Sequence, residues 1–191
     1  MAGSRGLPDV DLVTARPRVV PSDALDERTR RAMRGLLDDA FAGEFSDDDW
    51  AHALGGSHVI VEAHGAIVAH GSVVPRILDA GGTALRAGYV EAVAVRPDRQ
   101  RTGLGSTVLR VLGEVIVREF ALGALSTGEW PFYERLAWER WQGEAWVRHA
   151  DDRRERTPDD DDSLMILRTP RTPALDLRAA LTCDWRAGDV W

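Results

Sequence analysis

The apolar residues of this chain change period several times, and each change marks an element. From Ala24 to Ala42 they fall at Leu25, Met33, Leu36, Leu37, Ala40 and Phe41, the spacing of one helix face, with a capping signal at Ser22-Asp23 and a stop at Gly43. Glu44 to Trp50 restarts a helix, with Ser46 as its cap, Asp49 closing a capping box three residues on, and Gly55-Gly56 ending it. His58 to Glu62 and Ala66 to Val74 then read as strands joined at His64-Gly65. Pro75 to Ala80 stays extended, Gly81-Gly82 turns, and Thr83 to Val95 returns, which makes an antiparallel meander. Leu104, Val108, Leu109, Leu112, Val115 and Ile116 mark a further helical face that runs to about Arg118. Leu122 to Ser126 suits a short buried strand, Trp130 to Leu136 a helix with Pro131 near its first position, and Trp138 to Val147 a strand bending at Gly143. The polar stretch 148–162 is predicted to be a structureless linker, and Leu164 to Leu167 the last clear strand.

Residues 1–17 have no period and read as a partly ordered tail, which leaves 18–191 as a single domain. The element order gives a mixed α/β (α+β) fold, a central sheet flanked by helices, without internal repeats. The strand of Val93 to Val95 and that of Leu122 to Leu125 are joined through a helix and should be parallel neighbours. Their divergence beyond that junction would open a cleft.

Composition narrows the function. A hydrophobic share of 44% and a charged share of 29% over 191 residues are those of a soluble globular protein. The formal charge of −7 argues against a nucleic-acid surface and is compatible with a cationic ligand. Acidic residues gather at 44–49, 159–162 and 184–189, either as solvated loops or as a surface for cations. No apolar run reaches membrane-spanning length and the first residues lack a secretory core, so a cytoplasmic location is expected. The lone cysteine, Cys183, excludes an intrachain disulfide, and the five histidines lack chelating spacing, so no metal is expected.

The stretch 88–109 holds the densest candidate chemistry. An apolar strand ends before Pro97, and Gln100-Arg101-Thr102-Gly103-Leu104-Gly105 opens a helix. Free amides of a first helical turn, the helix dipole and glycines that allow close approach make an anion site there, although an ordinary strand-to-helix turn would look the same. It is not a Walker loop, since no Gly-Lys-Ser/Thr follows and the chain has no lysine, and it lacks the G-x-G-x-x-G order of a dinucleotide fingerprint.

The Gln-x-x-Gly-x-Gly spacing, after Glu91-Ala92-Val93-Ala94-Val95, resembles the pyrophosphate motif of the GNAT superfamily of acetyl-CoA-dependent N-acetyltransferases. Further segments resemble one branch, the aminoglycoside 2'-N-acetyltransferases of actinobacteria: Phe41-Ala42-Gly43, Leu54-Gly55-Gly56, Gly88-Tyr89-Val90-Glu91, Leu122-Gly123-Ala124-Leu125-Ser126, Arg156-Thr157-Pro158-Asp159, and above all the ending Cys183-Asp184-Trp185-Arg186-Ala187-Gly188-Asp189-Val190-Trp191.

The resemblance implies the GNAT acyl-CoA N-acyltransferase fold, acetyl-CoA as cosubstrate, an aminoglycoside with a 2'-amino group as acceptor, and a homodimer without nucleic-acid or membrane partners. It implies that Val93, Ala94 and Val95 meet the pantetheine arm, and that Arg96, Gln100, Arg101, Thr102, Gly103, Leu104, Gly105 and Ser106 surround the pyrophosphate. Glu91 is then the water-relayed general base, or else an exposed strand residue, and Tyr133 the general acid, or else a core tyrosine. Glu44, standing where the branch has aspartate, together with Asp49, Ser126, Asp160, Asp189 and Trp191, would bind the drug. Trp185, Val190 and Trp191 are costly to expose, so the tail is expected to be ordered and to return to the site. Cys183 alone could support an acetyl-enzyme. Acetylation of an endogenous amino sugar or cell-wall precursor, and a non-catalytic CoA- or drug-binding protein, are the alternative readings.

Overall fold

The computed structural model describes residues 16–191; all but the last two residues of the 1–17 tail lie outside them. The chain starts with β1 (Pro17–Pro21), a strand without a sequence signal, and a short 3-10 turn over Ser22–Ala24. The first helix, α1 (Glu27–Ala40), begins later than Ser22-Asp23 suggests. Asp26 is its cap and accepts from the Thr29 amide at 2.7 Å. α2 (Asp47–Ala53) starts at the expected box: the Asp49 amide donates to Ser46 Oγ and the Ser46 amide donates to Asp49 Oδ2.

The meander follows as β2 (Ser57–Ala63), β3 (Ala66–Ala80) and β4 (Thr83–Val95), then α3 (Leu104–Glu119), β5 (Leu122–Ser126) and α4 (Trp130–Glu134). The single strand expected over Trp138 to Val147 is two: β6 (Glu139–Arg140) and β7 (Ala145–Arg148). The chain is pinned between them. Trp141 donates its indole N–H to Ala179 O, and a Cβ on Gly143 would stand 1.9 Å from the same oxygen. The predicted linker is also structured. It contains β8 (Arg154–Arg156) and a 3-10 turn at Pro158–Asp160, locked by a paired contact of the Arg156 guanidinium with Asp161 at 2.7 and 2.8 Å. After β9 (Leu164–Arg168), the expected last strand, a further one, β10 (Leu181–Asp184), completes the sheet.

The order β6-β9-β5-β4-β3-β10-β7-β8 is joined by β2 on β3 and β1 on β2. The long β3 serves two partners on one edge, β2 through Ala66 to Val73 and β10 through Leu78 to Ala80, with β4 on the other. β4 and β5 are parallel, as the crossover through α3 requires. Val108, Leu109, Leu112, Val115 and Ile116 of α3 are buried in one core with β2, β3 and β4. Met33, Leu36 and Leu37 of α1 cover Ile60, Ile67 and Ala94 in another, and the C-terminal half of the sheet packs around Tyr89, Trp141 and Trp191. No helix among the described residues is long and apolar enough to cross a membrane.

Candidate active site

Pairing between β4 and β5 stops at Tyr89 and Ala124, while β4 continues to Val95 against β3. The backbone of 90–95 is left with a free edge. It forms one wall of a cavity of about 1120 Å³, and Leu125, Ser126 and Thr127 stand on another. The opening comes from a bulge. Ser72 pairs with Glu91 and His70 with Ala94, so Gly71 faces both Ala92 and Val93, and Ala92 takes φ +50°, a left-handed conformation unusual for alanine.

At one end of the cavity, Gly103 caps α3 with φ +90° and Arg101 precedes it at φ +61°. Gln100, Arg101, Gly103, Gly105 and Ser106 all line the cavity, and the open amides of this 16-residue helix give it a partial positive charge of ~0.5. Gly103 has open space where a Cβ would stand, whereas a Cβ on Gly105 would come 3.3 Å from the Phe132 ring and 3.7 Å from Val95. A free strand edge leading to bare helical amides fits an extended thioester arm ending in a pyrophosphate. Of the residues assigned to that role from sequence, Val93, Ala94 and Val95 also line the cavity. Arg96, Thr102 and Leu104 do not. Arg96 is paired with Asp98 at 2.9 and 3.0 Å and faces a separate groove beside α1, Thr102 donates to Arg99 O, and the Leu104 side chain is buried in the core.

Glu91 stands midway, with its side chain only 15% exposed. Its carboxylate holds protons more tightly than usual, because burial outweighs the opposing effect of Arg186, whose Nη1 donates to Oε1 at 2.6 Å. Arg186 lies within the ending that carries the resemblance, but the sequence assigns it no role, because the partner that would give it one, Glu91, lies far away along the chain. Tyr133 is also in the cavity wall, buried against Trp138, and burial pushes its hydroxyl up to about 12.

The other end is acidic. Glu44, Asp49 and Asp189 line it, with Phe41 and Phe45 stacked beside them. Asp49 Oδ2 is already engaged with Ser46, so one carboxylate both caps α2 and faces the cavity. Ser126 is present, its hydroxyl donating to Ser163 Oγ. Asp160 is not in the wall. Its carboxyl is raised by burial first and by Asp189 among its neighbours.

The tail is ordered, as its apolar residues suggested. Trp191 is buried and its indole donates to Thr157 Oγ1 at 3.0 Å, Arg186 Nε donates to Asp189 O at 2.8 Å, and Gly188, at φ +68°, lies against Asp48. Trp185 departs from the expectation. It is 55% exposed and stacks on His149 instead of entering the core.

Residues 23–141 match the model of the acetyltransferase (GNAT) domain. An aminoglycoside 2'-N-acetyltransferase of Mycolicibacterium fortuitum is 44% identical over 178 residues, covering 91% of each chain. The chain belongs to the GNAT acetyltransferases. Solved members of this family share the fold at low identity. A GNAT N-acetyltransferase of Escherichia coli in complex with CoA aligns with a TM-score of 0.61 at 14% identity, over 88% of this chain and 89% of that one. One from Brucella melitensis in complex with acetyl-CoA gives 0.58 at 17%, over 91% and 97%. Against two larger matched proteins the chain spans only 34% and 35% of their length.

Proposed function

We propose that this GNAT acetyltransferase moves the acetyl group of acetyl-CoA onto the 2'-amine of an aminoglycoside by direct attack. One observation carries the reading: a single cavity joins the free β4 edge and the α3 amides to the Glu44, Asp49 and Asp189 carboxylates, with Glu91 between them. The acidic end suits a polycation, because each ammonium finds a carboxylate in a partly dehydrated cleft. The 44% identical relative supports the choice of acceptor.

The residues divide the work. Glu91, its proton affinity raised by burial, takes the proton of the attacking amine through a water. The nitrogen then forms its bond to the acetyl carbon as the carbon–sulfur bond breaks. A backbone amide on the free edge at Val93 or Val95 donates to the developing oxyanion. Tyr133, protonated at neutral pH, supplies the proton that leaves with CoA as its thiol. Cys183 takes no part: it is buried, its thiol is pushed up to about 11, and its Sγ lies 3.4 Å from Val190 O. The reading includes a homodimer, checked by light scattering.

The test is a thiol-release assay with matched 2'-amino and 2'-hydroxy aminoglycosides. CoA thiol should appear with the amino compounds alone. No release with any aminoglycoside would reject the acceptor, and equal rates on the hydroxy compounds would reject the position.

A further inference from the structure

The transfer described above makes no use of two buried histidines. His58 on β2 and His70 on β3 are both fully inaccessible. His58 Nε2 lies 2.7 Å from Ser22 Oγ, His58 Nδ1 lies 3.0 Å from His70 Nε2, and His70 Nδ1 lies 2.9 Å from the carbonyl oxygen of Ala92. Burial lowers both rings, His58 to about 3 and His70 to about 4, so both are neutral near pH 7. The direction of the chain follows. A carbonyl oxygen only accepts, so the single proton of His70 is on Nδ1 and its Nε2 is bare. That bare nitrogen accepts from His58 Nδ1–H, which leaves His58 Nε2 bare to accept from the Ser22 hydroxyl at 2.7 Å, the shorter of that hydroxyl's two acceptor contacts, the other being Gly56 O at 3.1 Å. Ser22 Oγ is itself held by the amides of Gly55 and Gly56 at 2.9 and 3.1 Å.

The chain ends on a carbonyl, which passes no proton onward, so it is not a relay to Glu91. It ends on the bulge. A bulge breaks the ladder and leaves backbone groups to be satisfied by other means. Here side chains of β3 supply donors: His70 to Ala92 O, and Ser72 Oγ to Glu91 O at 3.3 Å. Between them, a Cβ on Gly71 would come within 2.8 and 2.9 Å of side-chain methyls of Val108 and Leu112, so a larger residue there would displace the side chains by which α3 lies on the bulged segment.

We propose that His70-Gly71-Ser72, backed by His58 and Ser22, is a brace that holds the β4 bulge in the shape that frees the edge at Val93 and Val95, with His70 a positioning residue for the acetyl donor. The proposal rests on the donor reading of that edge.

The test compares His70→Leu, which removes the donor to Ala92, with His70→Asn, whose amide nitrogen occupies the place of Nδ1 but cannot reach His58. Affinity for CoA is read by calorimetry, beside kcat and the KM for acetyl-CoA. His70→Leu should weaken CoA binding by about tenfold, the scale of one oriented hydrogen bond. His70→Asn should recover most of it, with aminoglycoside affinity unchanged in both. Wild-type affinity in both variants, or equal loss in both, overturns the brace. If His70→Leu fails to fold, nitrogen–proton correlation spectra of the wild-type imidazoles decide: both rings neutral with the proton on Nδ1 uphold the chain, and a charged or Nε2-protonated His70 near pH 7 overturns it. Wild-type protein that binds no CoA would sink the donor reading and the brace with it, whereas wild-type binding with unaffected variants sinks the brace alone.

Discussion

Replacing Arg186 with alanine should move the pH profile of the enzyme. The guanidinium lies 2.6 Å from Glu91, and both side chains are under one-fifth exposed, at 18% and 15%. Two unit charges with centres ~4 Å apart attract by ~4 kcal/mol at an effective dielectric of about 20, less what water on the cavity side screens. A cation at this range lowers a carboxyl by about 1 to 3 pH units. Burial already raises Glu91, and without Arg186 only the smaller effects of Arg76 and His52 oppose it. The base works only when ionised, so activity falls as pH drops through its pKa. A higher pKa therefore shifts the acid limb of kcat/KM upwards, by about 1 to 3 units, with activity recovering at high pH. The drug's own amine titrates identically against both enzymes, so the difference between the profiles belongs to Glu91. Loss of the bond to Asp189 O lowers drug affinity at every pH, which displaces the profile vertically without moving its limb. Arg186→Lys, which keeps the charge, should leave the limb close to that of the wild type. An acid limb in Arg186→Ala that coincides with wild type would refute the coupling of tail and base.

Tyr133→Phe should reduce kcat by about a hundredfold or more with little change in melting temperature; an unchanged kcat would leave the tyrosine as a packing partner of Trp138. Gly188→Ala forces a Cβ to 2.8 Å from that of Asp48 at φ +68°, a strain of about 1 to 3 kcal/mol. It should loosen the tail and weaken aminoglycoside binding by calorimetry while CoA binding stays as it was. Cys183→Ala should keep its turnover, and a folded variant without turnover would favour an acetyl-enzyme.

The helices and the meander were legible in the sequence because their signals are local. Ser46 and Asp49 sit three residues apart and build the capping box that this spacing implies, and the crossover rule alone placed β4 beside β5. Elements that depend on distant partners were not legible. β8 is Arg154-Glu155-Arg156, with no apolar alternation to read, and exists because β7 offers it an edge. β10 is four residues long and is defined by β3 and β7 on either side. The candidate site divides in the same way. The glycine turn and the carboxylates at 44, 49 and 189 could be picked out by motif or resemblance and are brought together in one cavity. The Arg186–Glu91 contact and the His58–His70 chain could not, since sequence spacing says nothing of which buried groups meet. Arg96 is implied as a phosphate ligand by the resemblance, whereas in the structure its guanidinium is paired with Asp98.

The central proposal is tested most directly by the structure of the product. An aminoglycoside with amino groups at both the 2' and 6' positions is incubated with the enzyme and acetyl-CoA, and the acetylated carbon–nitrogen pair is located by two-dimensional NMR. Acetyl on the 2' nitrogen alone is the expected result. Acetyl on the 6' nitrogen, or a mixture of the two, would contradict the placement of Glu91 against a single amine.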